Sequence, residues 1–171
     1  AASMALKSDG TVYSWGHNSN GQLGNGSSDG SPHTTPAQIS SLSDIVQISM
    51  GAYQGMALKS DGTVCMWGGG SSGQLGDGGN QDRYSPVELS GIALITESSG
   101  GGGTVSISDA TQISAGYNHT LALVDDGTVY AWGYNGSGQL GTGDYQSSYI
   151  PVQLSTISDV SQVSAGNYYS L

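Results

Sequence analysis

One phrase occurs three times in this chain and constrains its fold more than any other feature. It joins an Asp-Gly-Thr-Val turn, a Trp-Gly pair and a Gly-Gln-Leu-Gly loop at constant spacing. Such repetition indicates a repeat architecture in which each unit buries its apolar face against its neighbours. A residue present in every copy is more simply explained by a structural role in the repeat than by a catalytic or binding role. The copies are DGTVYSWGHNSNGQLG from Asp9, DGTVCMWGGGSSGQLG from Asp61 and DGTVYAWGYNGSGQLG from Asp126.

Each repeat has the pattern of short β-strands, and no segment has the apolar spacing of an amphipathic helix. Alternating apolar and polar residues flank each Asp-Gly, which predicts a hairpin with a two-residue type I′ turn. A later proline predicts the start of another strand, and a last strand leads to a glycine. The chain is therefore predicted to be all-β, a β-propeller with blades of about four antiparallel strands. The prolines are Pro36, Pro86 and Pro151, and the glycines are Gly51, Gly116 and Gly166.

These motifs resemble the regulator-of-chromosome-condensation repeat family. The third repeat is the most similar, with Ala115-Gly116, HTLAL from His119, Trp132-Gly133 and GQLG from Gly138. The resemblance implies a seven-bladed propeller, of which this chain supplies three blades. The sequence begins and ends at the same point of the repeat, so we expect an incomplete propeller. The missing blades would come from the same parent chain or, as the less favoured alternative, from other copies of this chain.

The chain is expected to form a single incomplete propeller domain over residues 1–171. Its tryptophans lie at Trp15, Trp67 and Trp132, so one repeat is close to the ~40–50 residues of a propeller blade. One tryptophan per repeat also predicts packing between blades. The repeats are placed at about 1–51, 52–116 and 117–166, with the start of a further repeat at 167–171 and an insertion at about 90–104.

The insertion has two arms compatible with β-structure, IALIT from Ile92 and TVSIS from Thr104, around a glycine-rich tip. This pattern predicts a projecting hairpin, and a flexible linker is the alternative. In the family's nucleotide-exchange member a projecting β-wedge contacts a GTPase. The resemblance therefore implies that the segment from Ile92 to Ser108, with Leu94 and Ile95, is a partner-binding candidate.

The charge balance excludes two classes of ligand. Thirteen carboxylates face three Lys and Arg residues, and the formal net charge is −10. DNA and anionic membranes are bound chiefly through clustered Lys and Arg, so we expect neither nucleic-acid binding nor membrane insertion. The acidic, Lys-poor composition favours a secreted or cell-surface microbial protein, with a cytoplasmic setting as the alternative.

No pattern of reactive residues predicts catalysis or a cofactor. Cys65 occupies the strand position that Tyr13 and Tyr130 hold in the other repeats, with no predicted histidine to activate it. The histidines, His17, His33 and His119, occupy three different phases of the repeat and cannot form a symmetric set of metal ligands. Calcium at loop oxygens such as Asp77, Asp82 or Asp144 is conceivable, but no calcium-binding motif supports it.

The candidate contact residues are at positions that differ between the otherwise similar repeats. Three positions after each blade's glycine differ between repeats, and so does the residue after Trp-Gly. In a propeller these turns reach one rim, where rigid strands present loop residues to a partner. Together with Ile92, Leu94 and Ile95, the partner-binding candidates are Tyr53, Gln54, Tyr117, Asn118, His119, Tyr168, Tyr169, His17 and Tyr134.

The leading functional hypothesis is a non-enzymatic protein-protein interaction or structural module of a secreted or surface repeat protein. The alternative is an inhibitor or guanine-nucleotide-exchange regulator that acts on another enzyme through propeller-face loops or the 90–108 hairpin. Catalysis by this chain is disfavoured, because no nucleophile, base and orienting group recur at suitable spacing.

Overall fold

The fold is a row of antiparallel β-sheets. A computed structural model describes residues 1–89, 92–93, 104–105, 107 and 109–171. Within these ranges every helix or strand element is a strand, so the all-β prediction is confirmed. No helix in the described part is long and apolar enough to cross a bilayer. The strands are β1 (Ala2–Leu6), β2 (Val12–Asn18), β3 (Asp29–Gln38), β4 (Ile45–Met50), β5 (Gln54–Lys59), β6 (Val64–Gly68), β7 (Arg83–Glu88), β8 (Ile92–Ala93), β9 (Thr104–Val105), β10 (Ala110–Ala115), β11 (His119–Val124), β12 (Val129–Gly133) and β13 (Ser148–Gln153).

The strands form three blade-like sheets in which neighbours in sequence are neighbours in space. The first sheet has the order β1-β2-β3, the second β4-β5-β6-β7 and the third β10-β11-β12-β13. The second and third sheets thus have the predicted four strands. The first two strands of each sheet, β4 and β5 or β10 and β11, precede the repeated phrase. The phrase itself supplies β6 or β12, and the outer strand, β7 or β13, follows it.

The Asp-Gly turns differ from the predicted type I′ turn. The Gly10 N–H donates to the Lys7 carbonyl at 3.0 Å, so the tight turn comprises residues 7–10. Gly10 has φ +81°, whereas Asp9 is not among the residues with positive φ. This is a turn followed by a left-handed glycine, a three-residue hairpin loop. The type I′ prediction was wrong because it ignored the Asp carboxylate, which accepts a hydrogen bond from the Thr11 N–H at 3.1 Å.

The prolines were also misplaced by the sequence reasoning. Pro36, Pro86 and Pro151 lie inside β3, β7 and β13, after each strand has begun. These are the outermost strands of their sheets. An edge strand has a neighbour on one side only, so a proline without an N–H can be placed there without removing a hydrogen bond between strands. The pairing register of each also shifts near its proline. An edge position with a bulge therefore tolerates proline, so the residue does not mark the strand start.

The repeated tryptophan joins neighbouring sheets. The Trp67 Nε1–H of the second sheet donates to the Gln22 carbonyl of the first sheet at 3.0 Å. Trp132 of the third sheet donates in the same way to the Gln74 carbonyl of the second, also at 3.0 Å. Both indoles are fully buried. The Gly-Gln-Leu-Gly loop of one sheet therefore contacts the tryptophan of the next sheet. We call this contact between two neighbouring sheets the joint.

The first strands of the second and third sheets form further bonds to the unit that follows each sheet. Gln47 of β4 donates from Nε2 to the Ile113 carbonyl at 3.0 Å and accepts from the Ile113 N–H at 3.1 Å. One repeat later, Gln112 accepts from the Val163 N–H at 2.9 Å. The repeated Gln-Ile-Ser and Gln-Val-Ser segments are thus explained by contacts between sheets. Side-chain amides supply the bonds that a continuous sheet would supply with its backbone.

Alternate residues of the second sheet pack on opposite neighbours. Trp67 and Cys65 belong to a core with residues of the first sheet, while Met56 and Leu58 share a core with Trp132. Successive strand side chains point to opposite faces, so one sheet can be buried on both sides. Residues 154–171 cover the far side of the third sheet, where Val163 packs into its core.

The insertion begins and ends as a paired element. β8 and β9 are antiparallel, with Ile92 opposite Val105 and Ala93 opposite Thr104. The predicted hairpin arms are confirmed for these residues. Leu94 and Ile95 of the first predicted arm, and the predicted tip with the glycines at 100–103, lie outside the described residues.

Candidate protein-binding surface

The antiparallel topology gives the sheets two distinct ends. The turns between β4 and β5 and between β10 and β11 lie at the same end as the long loops that follow the Trp-Gly pairs. The Asp-Gly turns and the β8–β9 pair lie at the opposite end. The variable turns and the insertion, both partner candidates from the sequence, are therefore on opposite sides of the molecule.

Tyrosine is concentrated at one of these ends. Eight of the ten tyrosines lie there, and only Tyr13 and Tyr130 lie in strands near the Asp-Gly turns. Every tyrosine with an exposed side chain belongs to this group. We call this end of the sheets the tyrosine face. Tyrosine combines contact area with a hydrogen-bonding hydroxyl at a low entropy cost and is enriched in protein interfaces. The exposed ones are Tyr53, Tyr84, Tyr134, Tyr145, Tyr149, Tyr168 and Tyr169.

Three tyrosines from successive turns are in contact. The Tyr53 and Tyr117 rings meet edge to face, with centroids 5.5 Å apart and an interplanar angle of 89°. Their hydroxyl oxygens are 3.2 Å apart. Tyr168 lies on the other side, its centroid 5.6 Å from that of Tyr117 at an angle of 35°. These residues, which we call the tyrosine cluster, bridge the second sheet, the third sheet and residues 154–171.

A shallow hollow opens beside the cluster. Its volume is about 320 Å³, and its lining includes Met50, Ala115 and Tyr117 with the turn glycines Gly51, Gly116 and Gly166. The three glycine turns lie on one another, since a Cβ on Gly51 or Gly116 would overlap the carbonyl oxygen of the next glycine. Close backbone approach explains why every repeat has glycine here. The tyrosine cluster therefore lies on a rigid base.

The charge on the tyrosine face is negative. Asp77, Asp82 and Asp144 lie in the loops at this end, and Asp29 begins β3 there. The one strong cation at this end is Arg83, the first residue of β7. Arg83 forms an ion pair with Asp77 at 2.7 Å. A side-chain hydrogen bond from Thr142 holds the pKa of Asp144 below its usual range, and one from His33 does so for Asp29. With pKa values lowered in this way, Asp144 and Asp29 are ionised at neutral pH.

Two of the predicted contact residues are buried. Gln54 and His119 are 0% exposed. The Gln54 Nε2–H donates to the Gly116 carbonyl at 3.2 Å, and His119 Nε2 lies 3.1 Å from the Ser170 hydroxyl. Burial lowers the pKa of His119. Both side chains join neighbouring repeats, so we remove them from the candidate surface.

The other predicted residues outside the insertion lie at or near the tyrosine face. Tyr168, Tyr169 and Tyr134 are exposed, while His17 and Asn118 are half-buried. Sequence reasoning missed Tyr84, Tyr145 and Tyr149, because it compared only positions near each glycine and Trp-Gly pair. Their common signal was available: all lie in the long loops or at the strand starts after Gly-Gln-Leu-Gly. Ile92 lies at the opposite end, and its side chain is outside the described structure.

The reactive groups of the described chain are occupied in structural roles. Cys65 is buried, and burial raises the pKa of its thiol to about 11. Among the calcium candidates, Asp82 accepts from the Gly70 N–H and Asp144 from Thr142. The described residues contain no group of three or more His, Cys, Asp or Glu side chains placed to hold a metal ion.

Comparison with known proteins identifies the family. The sequence model described as the regulator of chromosome condensation (RCC1) repeat matches residues 9–58, 61–123 and 126–171. The chain belongs to the RCC1 repeat family. The structure of the RCC1 protein Prp20p from Saccharomyces cerevisiae superimposes with a TM-score of 0.77 at 20% identity, covering 99% of this chain and 40% of Prp20p. That likeness confirms the propeller-type fold.

Curated RCC1-repeat relatives are considerably longer than this chain. It is 35% identical over 155 residues to the ultraviolet-B receptor UVR8 of Arabidopsis thaliana, covering 89% of this chain and 32% of the receptor. It is 32% identical over 175 residues to the human E3 ubiquitin-protein ligase HERC2, covering 100% of this chain and 3% of the ligase. The chain thus spans a third or less of these relatives. It is an RCC1-repeat module.

Proposed function

We propose that this chain is a non-enzymatic protein-interaction module that binds its partner through the tyrosine face. The observation that carries the proposal is the concentration of exposed tyrosines at one end of the sheets, where the Tyr117 ring contacts those of both Tyr53 and Tyr168. Rigid aromatic residues at the centre of a surface are typical of interface anchors. The repeated residues supply the frame, and the variable ones supply the contact surface.

The comparisons support this proposal at the level of the family. The structure of Prp20p was described together with its binding to Gsp1p and histones, so an RCC1-type propeller can present protein-binding surfaces. A non-enzymatic role is supported by the buried Cys65 thiol and the structural hydrogen bond of His119. The negative charge disfavours nucleic acid and anionic membranes as ligands. As part of the same proposal, the acidic composition favours a secreted or cell-surface setting.

The test is partner capture with matched variants. The purified chain is immobilised, and proteins from the source organism that bind it are identified and then purified. The triple variant Tyr53→Ala, Tyr117→Ala, Tyr168→Ala should lose most of the affinity for such a partner. The control changes the three equivalent exposed residues of the Asp-Gly turns, Ser8→Ala, Ser60→Ala and Asp125→Ala. Loss of binding in the control with none in the tyrosine variant would contradict the proposal.

The second candidate is a regulator or inhibitor of another enzyme that acts through the opposite end. The observation that favours it is the antiparallel β8–β9 pair, which places the base of a hairpin among the Asp-Gly turns. Replacement of residues 92–105 by a short glycine-serine linker would then abolish regulation of a bound enzyme and leave the tyrosine-face variants active. The reverse pattern would exclude this candidate in favour of the first.

A further inference from the structure

The chemistry of the tyrosine face points to one class of partner. Resting on the proposed function, we propose that this face takes up an arginine-bearing segment of the partner, with guanidinium groups against the rings of the tyrosine cluster. Two independent observations carry this inference. They are the contact geometry of the rings and the sign of the surrounding charge.

The ring geometry provides several aromatic surfaces within the reach of one peptide. The Tyr53 ring is perpendicular to that of Tyr117, and the Tyr168 ring is tilted from it by 35°. Tyr53 is 37% exposed and Tyr168 is 53% exposed, so the outer rings remain open to solvent. A cation over the face of a tyrosine ring is attracted by the ring quadrupole. Rings at different angles offer such faces in more than one direction.

The surrounding charge selects a cation rather than an anion. Arg83 is the only strong cation at this end, and Asp77 pairs with it at 2.7 Å. Asp82 and Asp144 lie in the β6–β7 and β12–β13 loops, and Asp29 begins β3 with its carboxylate 3.0 Å from His33 Nε2. The chain's two lysines lie at the opposite end. Arginine fits better than lysine, because its planar guanidinium both stacks on aromatic rings and binds carboxylates through two parallel hydrogen bonds.

The opposite end carries more negative charge, but its two tyrosines, Tyr13 and Tyr130, are half-buried, and Lys7 already lies over the Tyr13 ring, 5.9 Å from its centroid. Its two lysines are already paired, Lys7 with Asp9 and Lys59 with Glu88. The Asp9, Asp61 and Asp126 carboxylates accept hydrogen bonds from the threonine N–H two residues later. None of the strongly exposed tyrosines lies at this end. Exposed carboxylates alone attract cations weakly and are screened by salt, so this end steers a basic partner without anchoring it.

The test uses a short peptide of alternating arginine and glycine, titrated into the intact chain and followed by calorimetry. A citrulline-glycine peptide keeps the shape and hydrogen bonding of the probe and removes its charge. A lysine-glycine peptide keeps the charge and removes the planar group. We expect binding in the order arginine, lysine, citrulline. Replacement of Tyr53, Tyr117 or Tyr168 by Leu, which keeps an apolar side chain, should weaken arginine-peptide binding by about two- to fivefold each.

Controls separate this inference from the proposed function. The Tyr117→Phe variant keeps the ring and should bind the peptide nearly as well as the native chain. The Asp-Gly-turn control, Ser8→Ala, Ser60→Ala, Asp125→Ala, should weaken binding less than Tyr117→Leu. Equal binding of arginine and citrulline peptides, or a control as weak as Tyr117→Leu, would overturn the inference. If the tyrosine variants still lost a captured protein partner, the proposed function would stand without it.

Discussion

A single methyl group at Gly76 should open the joint between the second and third sheets. Gly76 ends the Gly-Gln-Leu-Gly loop with φ +71°, and a Cβ there would lie 2.6 Å from Trp132 Nε1 and 2.9 Å from Cδ1. The indole is fully buried and donates to the Gln74 carbonyl, so it has little room to move. Gly76→Ala should therefore displace the tryptophan, its hydrogen bond and the surrounding core.

The magnitude follows from two separable terms. A residue with a Cβ in the left-handed region costs roughly 1–2 kcal/mol. Forcing extra volume into a packed core costs typically about 1–3 kcal/mol more. Gly143→Ala provides the matched control, because Gly143 has φ +88° but no heavy atom within 4 Å of the added Cβ. The control should show the backbone term alone, and Gly76→Ala the sum of both.

The assay is urea unfolding followed by far-ultraviolet circular dichroism, which does not depend on the tryptophan signal. The native chain, Gly76→Ala and Gly143→Ala are compared at the same concentration and pH. Gly76→Ala should have a free energy of unfolding roughly 1–3 kcal/mol below that of Gly143→Ala. Equal destabilisation of the two variants would refute the reasoning, since it would show that the tryptophan is not tightly held against the loop.

Three other predictions follow from the same contacts. Burial lowers the pKa of His119, so the unfolded chain binds a proton at higher pH than the folded one, and stability falls as pH drops below about 6.5. The His119→Gln variant introduces the residue that the preceding repeat has at Gln54. It should remove this part of the pH dependence, which amounts to at most about 1.4 kcal/mol per pH unit. Chemical unfolding measured from neutral to mildly acidic pH would show the difference. Gln47→Ala removes two hydrogen bonds to Ile113 and should cost about 1–3 kcal/mol, whereas Gln162→Ala at the exposed equivalent position should change stability by less than about 0.5 kcal/mol. The buried Cys65 thiol should resist alkylation in the native chain and react at once in urea; rapid native alkylation would contradict its placement.

Sequence reasoning predicted the architecture because the repeated phrase encodes it. Period, strand alternation and one tryptophan per repeat were sufficient for an all-β row of blades. The turn type was mispredicted, because one side chain determines which of two similar backbone conformations forms. The Asp9 carboxylate binds the Thr11 N–H, and this local bond favours a three-residue loop over a type I′ turn. Sequence propensity alone does not register such a bond.

The candidate surface was less predictable, because exposure depends on what packs against each residue. Gln54, His119 and Tyr169 occupy the same phase of the repeat, yet only Tyr169 is exposed. The Gln54 side chain bonds to the Gly116 carbonyl at the next glycine turn, and the His119 side chain contacts the Ser170 hydroxyl beyond the following one. Likewise, Tyr117 is one residue out of phase with Tyr53 and Tyr168, and only the fold shows that the three rings meet. Variation in the sequence thus pointed to one end of the sheets but not to which side chains there face the solvent.

The central claim is that the repeated phrase builds the frame and that the tyrosine face binds the partner. Hydrogen-deuterium exchange of the chain, free and in complex with a captured protein partner, tests it most directly. The account predicts slower exchange in the complex at 51–54, 117–119 and 167–169, with little change in the Asp-Gly turns at 8–11, 60–63 and 125–128. Protection confined to those turns and to residues 92–105 would contradict it.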